Sequence, residues 1–328
     1  MDIIKIGIIS FEHMHALSYT TELTKIEGVE VVGIADTDEE RGRCMAEKFH
    51  TTYYRDYNDL LNTDIVGVVI CTNNKLHSEV AQAAANKGKH ILVEKPFAIN
   101  IEEAKAMLKA AEVNRVKIMT AFPMRFNPNI REAKAIIDRG EIGNILCITG
   151  INHGKIPSGW FIDAKLSGGG GVMDHTVHLA DLIRWFTNSE YKYVYCESGE
   201  LIHHKGIDDC GIVNVELENG AFATIDCSWA HHKNYEIWPE VYMEIIGDKG
   251  VLEVSAFGQV QRVYDSEHNV IEDVVWNEDG DEGLIKEFVE VCRTGKEPFV
   301  TGFDGMKAAE VAVAAYRSTE EHKRVLIE

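Results

Sequence analysis

A chain of 328 residues is long for one hydrophobic core, so two domains are its natural division. The hydrophobic share of 45% and charged share of 26% suit a soluble globular enzyme, and no apolar run nears the roughly 20 residues that span a bilayer. A net charge of −20 excludes a general binder of nucleic acid or anionic membrane, which needs a basic face. The seven cysteines are dispersed without paired spacing, as expected of reduced thiols in the cytoplasm and not of a disulfide framework or zinc knuckle. Met1-Asp2-Ile3-Ile4-Lys5 shows no basic segment leading into a cleavable apolar core, so no secretion signal is expected.

In chain order, the first 121 residues alternate in period. Residues 3–9 read as a buried parallel strand, 13–26 as a helix, 29–35 as a second strand ending in Asp36, and 38–49 as a charged helix. A third strand covers 65–71, an alanine-rich helix 76–86, a fourth strand 90–93, a helix 101–114 and a fifth strand 117–121. This alternation makes a doubly covered parallel sheet. After a helix over 128–139 the pattern changes to strands over 145–153, 191–204, 209–217, 221–230, 240–247 and 250–265, a mostly antiparallel open sheet. Helices are expected over 172–187, 281–294 and 303–321. The fold class is therefore α/β, with a dinucleotide-binding domain over 1–121 and an α+β domain for substrate and oligomerisation over 122–328. The last helix is expected to pack back on the first domain.

A dinucleotide-binding first turn carries G-x-G-x-x-G between strand and helix. Here the turn reads Ser10-Phe11-Glu12-His13-Met14-His15, with Ser10, Glu12 and His15 at the three glycine positions. Helix N–H groups still suit an anion, Ser10 offers a hydroxyl, and His13 or His15 offers a compensating charge. The glutamate is electrostatically wrong beside a pyrophosphate unless its side chain turns away. Asp36 is placed to hold ribose hydroxyls, which favours NAD over NADP, although Arg41 and Arg43 stand close in sequence.

Two further islands carry chemistry. Glu94-Lys95-Pro96 follows the apolar run 90–93, setting an amine at the end of a buried strand. Asp174 and His178, after the glycines at 168–171, stand one helical turn apart on one face. Alcohol oxidation needs a group to polarise the oxygen, a base for its proton, and a group to orient that base. The plainer readings are a surface Lys95–Glu94 pair and a helix-stabilising Asp174–His178 pair.

These stretches resemble the glucose–fructose oxidoreductase and inositol dehydrogenase family (Gfo/Idh/MocA). Cys71-Thr72-Asn73-Asn74-Lys75-Leu76-His77 resembles its T-P-N-x-x-H segment without the proline, and residues 88–96 resemble its G-K-H-V-x-x-E-K-P. Arg125-Phe126-Asn127-Pro128, Gly140-Glu141-Ile142-Gly143, the glycines 168–170 with Asp174 and His178, and the segment 299–305 match further elements in order. The resemblance implies a Rossmann domain, a nicotinamide cofactor, a sugar or polyol substrate, and homodimers or homotetramers. It implies Lys95, Asp174 and His178 as the catalytic set, with His178 taking the hydroxyl proton. Cofactor contacts are expected from Ser10, Phe11, Glu12, His13, Met14, Asp36, Thr72, Asn73, His77, Glu94, Lys95 and Arg125. Substrate contacts are expected from Lys95, Arg125, Trp160, Asp174, His175 and His178. His77 reads equally well as a backbone cap, and Arg125 as a domain-junction brace.

His13, His15, His153, His175, His178, His231 and His232 form a histidine excess, but their spacing matches no compact zinc motif, and no metal is expected. The expected reaction is NAD-dependent hydride exchange with a secondary alcohol or ketone carbon of a sugar, inositol or related polyol. Two alternatives stand beside it: glycoside cleavage by oxidation, elimination and reduction with NAD, and a non-catalytic sensor of ligand or NAD.

Overall fold

Six short runs form the first sheet: β1 (Ile4–Ile9), β2 (Val29–Ala35), β3 (Thr52–Tyr54), β4 (Gly67–Ile70), β5 (His90–Val93) and β6 (Ile118–Thr120). All pair in parallel, in the order β3-β2-β1-β4-β5-β6, so the strand order reverses at β1. In such sheets the ligand crevice lies at the carboxyl ends of the strands beside the reversal. The computed structural model describes residues 3–235, 239–258, 260–265, 270–275 and 280–327.

The connecting helices are α1 (His15–Lys25), α2 (Glu39–Lys48), α3 (Tyr57–Leu61), α4 (His77–Asn86) and α5 (Ile101–Asn114). Their starts follow local chemistry: Asp38, Asp56 and Asn100 each accept a first-turn backbone N–H. Ile9, Val68, Ile70, Ile91, Val93, Phe97 and Met107 belong to one buried core. The strand β3 and helix α3 escape the periodicity reading, because a three-residue strand and a five-residue helix are too short to show a period.

The chain divides into two compact units, Met1–Phe122 with Asp281–Ala309, and Pro123–Gly280 with Glu310–Glu328. Residues 281–309, read from the sequence as second-domain, thus belong to the first unit. Helix α9 (Asp281–Thr294) turns Leu284, Ile285 and Phe288 inward and packs on α1, β1 and β5. At Gly67 an added Cβ would stand 2.5 Å from the Cys292 sulfur and 3.1 Å from Phe288, so the glycine admits this helix.

The second unit contains helices α6 (Pro128–Asp138), α7 (Ala164–Ser167) and α8 (Gly171–Thr187), numbered before α9 because they precede it in the chain. Its sheet comprises β7 (Ile145–His153), β8 (Tyr191–Gly199), β9 (Cys210–Leu217), β10 (Phe222–Asp226), β11 (Glu240–Gly247), β12 (Val251–Ser255) and the terminal β15 (Val325–Leu326). The order is β12-β11-β7-β10-β9-β8-β15, antiparallel except for the parallel pair β7–β10. A separate two-stranded sheet pairs β13 (Val260–Asp265) with β14 (Val270–Val275) antiparallel, and helix α10 (Gly302–Glu321) has residues in both units.

Three strands are shorter than the apolar runs suggest. β8 stops at Gly199 because buried Asp209 accepts the N–H groups of Leu201, Ile202 and His203, bending that backbone into a loop. β10 stops at Asp226, whose carboxylate accepts the Ser228 N–H and hydroxyl. The run over 250–265 breaks into β12 and β13; residue 259 within it lies outside the described residues. All seven cysteines are free thiols, and among the described residues no helix is long and apolar enough to cross a membrane.

Candidate active site

Ser10 takes φ +71, the left-handed conformation that a glycine at this first turn position would adopt. The tight turn survives at a cost of about 1 kcal/mol for the side chain. The Ser10 hydroxyl accepts the Glu12 N–H at 3.0 Å, and the His13 N–H goes to the Cys71 carbonyl at 3.0 Å. Phe11 is buried beside Phe49, and Met14 is exposed at the start of α1. The Glu12 carboxylate is held by both the backbone and side-chain nitrogens of Asn73, each at 2.9 Å, at the carboxyl end of β4. The glutamate is therefore anchored to the neighbouring loop.

Asp36 stands at the mouth of this turn. Its Oδ2 accepts from Phe11 N at 2.8 Å and Arg41 Nε at 2.8 Å, and its Oδ1 from Asp38 N at 2.9 Å and Arg41 Nη2 at 2.6 Å. A left-handed Ser10 and a strand-end carboxylate beside it fit a dinucleotide whose ribose hydroxyls take over donors from Arg41.

His15, the third departure from glycine, has a specific partner. Its Nδ1 lies 3.0 Å from Glu94 Oε1, and its backbone N–H meets His13 Nδ1 at 3.2 Å. Glu94 is buried and also accepts the Lys95 N–H at 3.0 Å. Burial works against the Glu94 charge, but His13, His15 and Lys95 outweigh it and hold the carboxyl well below the usual carboxylate range. The Glu94 side chain thus ties the start of α1 to the end of β5. Lys95 follows, itself buried, through a cis peptide to Pro96.

His77 is wholly buried, with Nδ1 2.9 Å from the Pro96 carbonyl and Nε2 3.3 Å from the Thr72 carbonyl. Burial pushes its pKa down, and the ring stands between the loops after β4 and β5 with a carbonyl of each at hydrogen-bond distance. Thr72 and Asn73 sit in the first of these loops, both buried.

In the second unit, α7 ends at Gly168 with φ +82, and α8 begins after Gly170. A Cβ on Gly170 would stand 1.9 Å from the Asp208 carbonyl oxygen, so only glycine allows this approach. The Asp208 carboxylate accepts the N–H groups of Gly170 and Val172, each at 2.9 Å, and the Asp208 carbonyl accepts that of Gly171 at 2.9 Å. Tyr316 OH donates to Asp208 at 2.9 Å and accepts from Gly170 N and Met173 N. Asp208 and Tyr316 thus cap the amides of this turn, and neither is marked by any motif.

On α8, Asp174 and His178 are both half-buried one turn apart. The Trp229 indole donates to Asp174 Oδ2 at 3.0 Å, and His175 Nε2 lies 3.3 Å from the same oxygen. Trp229 carries no motif in the sequence, because a tryptophan within an expected strand reads as core. One further turn along, Asp181 holds buried Arg125 in a fork, Nε to Oδ2 at 2.7 Å and Nη2 to Oδ1 at 2.5 Å, with the guanidinium over the Trp185 ring. Arg125 thereby braces α8. Trp160 is buried and stacks on Phe161, and Asp163 caps α7 by accepting the Lys165 N–H.

Comparison with known proteins agrees with this architecture. Residues 3–122 match the family model "Oxidoreductase family, NAD-binding Rossmann fold", and residues 130–253 match the "GFO/IDH/MocA C-terminal domain". The uncharacterized oxidoreductase YrbE of Bacillus subtilis is 29% identical over 92% of this chain and 90% of its own length. The myo-inositol 2-dehydrogenase of Thermotoga maritima is 26% identical over 99% of this chain and 98% of its own. The crystal structure of GenD2 from gentamicin A biosynthesis in complex with NAD shares the fold at a TM-score of 0.91 and 22% identity, covering 100% of this chain and 97% of that one. With both family domains matched in order around a Rossmann turn, the chain belongs to the Gfo/Idh/MocA family and is an NAD-binding oxidoreductase.

Proposed function

We propose that this oxidoreductase oxidises a secondary carbinol of an inositol or related sugar polyol, and reduces the corresponding ketone, with Lys95, Asp174 and His178 as its catalytic residues. Bound NAD supplies the hydride acceptor. His178 takes the hydroxyl proton, Lys95 donates a hydrogen bond to the reacting oxygen, and Asp174 orients the substrate hydroxyl or the imidazole. The observation that carries the reading is the retained pair on α8: Asp174 and His178 share a half-buried face, and the Trp229 indole fixes the carboxylate. Asp36 and the left-handed Ser10 support NAD as the dinucleotide. Inositol is favoured as substrate class because the inositol 2-dehydrogenases of Thermotoga maritima and Salmonella typhimurium align with 99% of the chain.

The test is NADH formation with a panel of inositols, sugars and their glycosides. Wild type should turn over at least one free polyol. Lys95→Ala and His178→Ala should each lose about 100-fold or more of turnover while NADH affinity by fluorescence titration stays within a few-fold. Near-normal activity in both variants refutes the assignment. Release of an aglycone without net NADH points to oxidation–elimination–reduction instead, and NADH binding without turnover points to a sensor.

A further inference from the structure

Among the described residues, two groups of histidines and carboxylates are close enough to share an ion: His13, His15 and Glu94, and His153, His231 and Glu240. The first is a closed network. His15 Nδ1 is committed to Glu94, His13 Nδ1 receives the His15 N–H, and the positive charge of Lys95 acts on the same carboxylate. A cation there would face an ammonium.

The second group is built differently. β7 and β11 pair His153 directly with Glu240. Gly150, against Leu179 of α8, faces the helix; three residues on, alternation turns His153 and its partner Glu240 to the other face. His231 is brought in by a backbone bridge to Lys155 and by its N–H to the Gly154 carbonyl at 3.0 Å. His153 Nδ1 lies 3.6 Å from Glu240 Oε2, and His231 Nε2 lies 3.2 Å from the same oxygen. Tetrahedral coordination with bonds of about 2.0–2.1 Å has ligand-to-ligand edges of about 3.3–3.4 Å. The two observed edges straddle that value.

The opposite ring nitrogen of His153, Nε2, lies 2.9 Å from Asp226 Oδ1, and that carboxylate is fixed in turn by Ser228. That carboxylate stands at ion-pair distance from Nε2 without the alignment of a hydrogen bond, and its charge favours a proton on the nitrogen facing it and a lone pair on Nδ1 for the ion. Tyr235 stacks on the His231 ring at 3.7 Å and closes one side. His231 is buried and Glu240 is half-exposed, so a fourth, non-protein ligand would come from solvent on the Glu240 side.

From this geometry we infer a binding site for a divalent transition metal of the zinc class, with ligands His153 Nδ1, His231 Nε2 and Glu240 Oε2 and with Asp226 orienting His153. Two imidazoles select against calcium and magnesium, which take oxygen ligands. The ion would clasp the end of β7, the start of β11 and the segment after β10. It uses none of Lys95, Asp174 or His178. The spacing along the chain hides it: its ligands come from three separate segments that only the sheet register assembles.

The experiment uses untagged full-length protein, stripped with chelator and titrated with zinc against a chromophoric competitor, then with cobalt to read its visible bands. Wild type should bind one zinc per chain, show the intense d–d bands of tetrahedral cobalt, and melt at a higher temperature with zinc. Glu240→Gln and His153→Gln should weaken zinc binding by about 100-fold or more, and Asp226→Asn by about tenfold. Glu240→Gln replaces a half-exposed side chain with its isostere, so the outcome does not depend on a folding defect. Substoichiometric binding, zinc affinity equal in wild type and Glu240→Gln, or zinc lost instead in His15→Gln would each overturn the site.

Discussion

His15 illustrates how one departure from a motif is absorbed by its surroundings. Burial disfavours charge on its ring, but the Glu94 carboxylate 3.0 Å away outweighs burial and raises its pKa above the ordinary 6.5. Glu94 is shifted the other way, below its ordinary 4.5, as burial is overcome by the two imidazoles and Lys95. A raised pKa means the folded chain holds the proton more tightly, so the His15 contribution to stability is complete below about pH 6.5 and lost as pH rises through the raised value. The Glu94 contribution is complete above its ordinary value and lost only in acid. Denaturant midpoints of wild type and His15→Gln should therefore differ more at about pH 6 than at about pH 9; a difference independent of pH would refute the pairing. The sequence shows that glycine is missing at this position, but the partner lies 79 residues away and is visible only once β5 lies beside α1. Asp36 is the converse case. Its place at a strand end is legible, whereas the Arg41 fork that occupies it depends on side-chain reach across the first turn of α2.

At the scale of the element, α8 carries the proposed base and depends on two contacts from elsewhere in its unit. Asp208 caps its first turn with a carboxylate, favourable at the positive end of a helix dipole, and Asp181 on the same face accepts the buried Arg125 fork. Asp208→Ala removes acceptors from two backbone N–H groups and one tyrosine hydroxyl. It should lower stability by about 1–2 kcal/mol and reduce turnover while leaving NADH affinity unchanged, as checked by denaturant unfolding and steady-state kinetics. Unchanged stability would show that water replaces the cap. The extent of α8 is legible from its glycines and apolar spacing. Its cap is not, since any aspartate in a polar loop looks alike until the fold selects one. The same limit explains the overlong strands: β propensity runs past Gly199 and Asp226, but side-chain acceptors turn the backbone away.

For the molecule as a whole, alternation of strand and helix over 1–121 followed by runs of strands gives both sheets and their order of appearance. The assignment of 281–309 to the first unit escapes that reading, because amphipathic spacing shows that α9 has an inward face without showing which sheet lies beneath it. The hydroxyl of Tyr316, near the end of the chain, completes the first turn of α8 from 146 positions downstream of Gly170. Burial and then the adjacent Asp208 carboxylate push that phenol well above its ordinary pKa, so it remains a donor across the physiological range. A chain ending before Tyr316 should be nicked by protease within residues 167–171 faster than wild type under limited digestion; equal rates would show the turn to be self-supporting. During translation at about 5–20 residues per second, this helix emerges on the order of ten seconds before its last anchor. A nascent chain therefore carries the proposed base on an unfinished support until Tyr316 arrives.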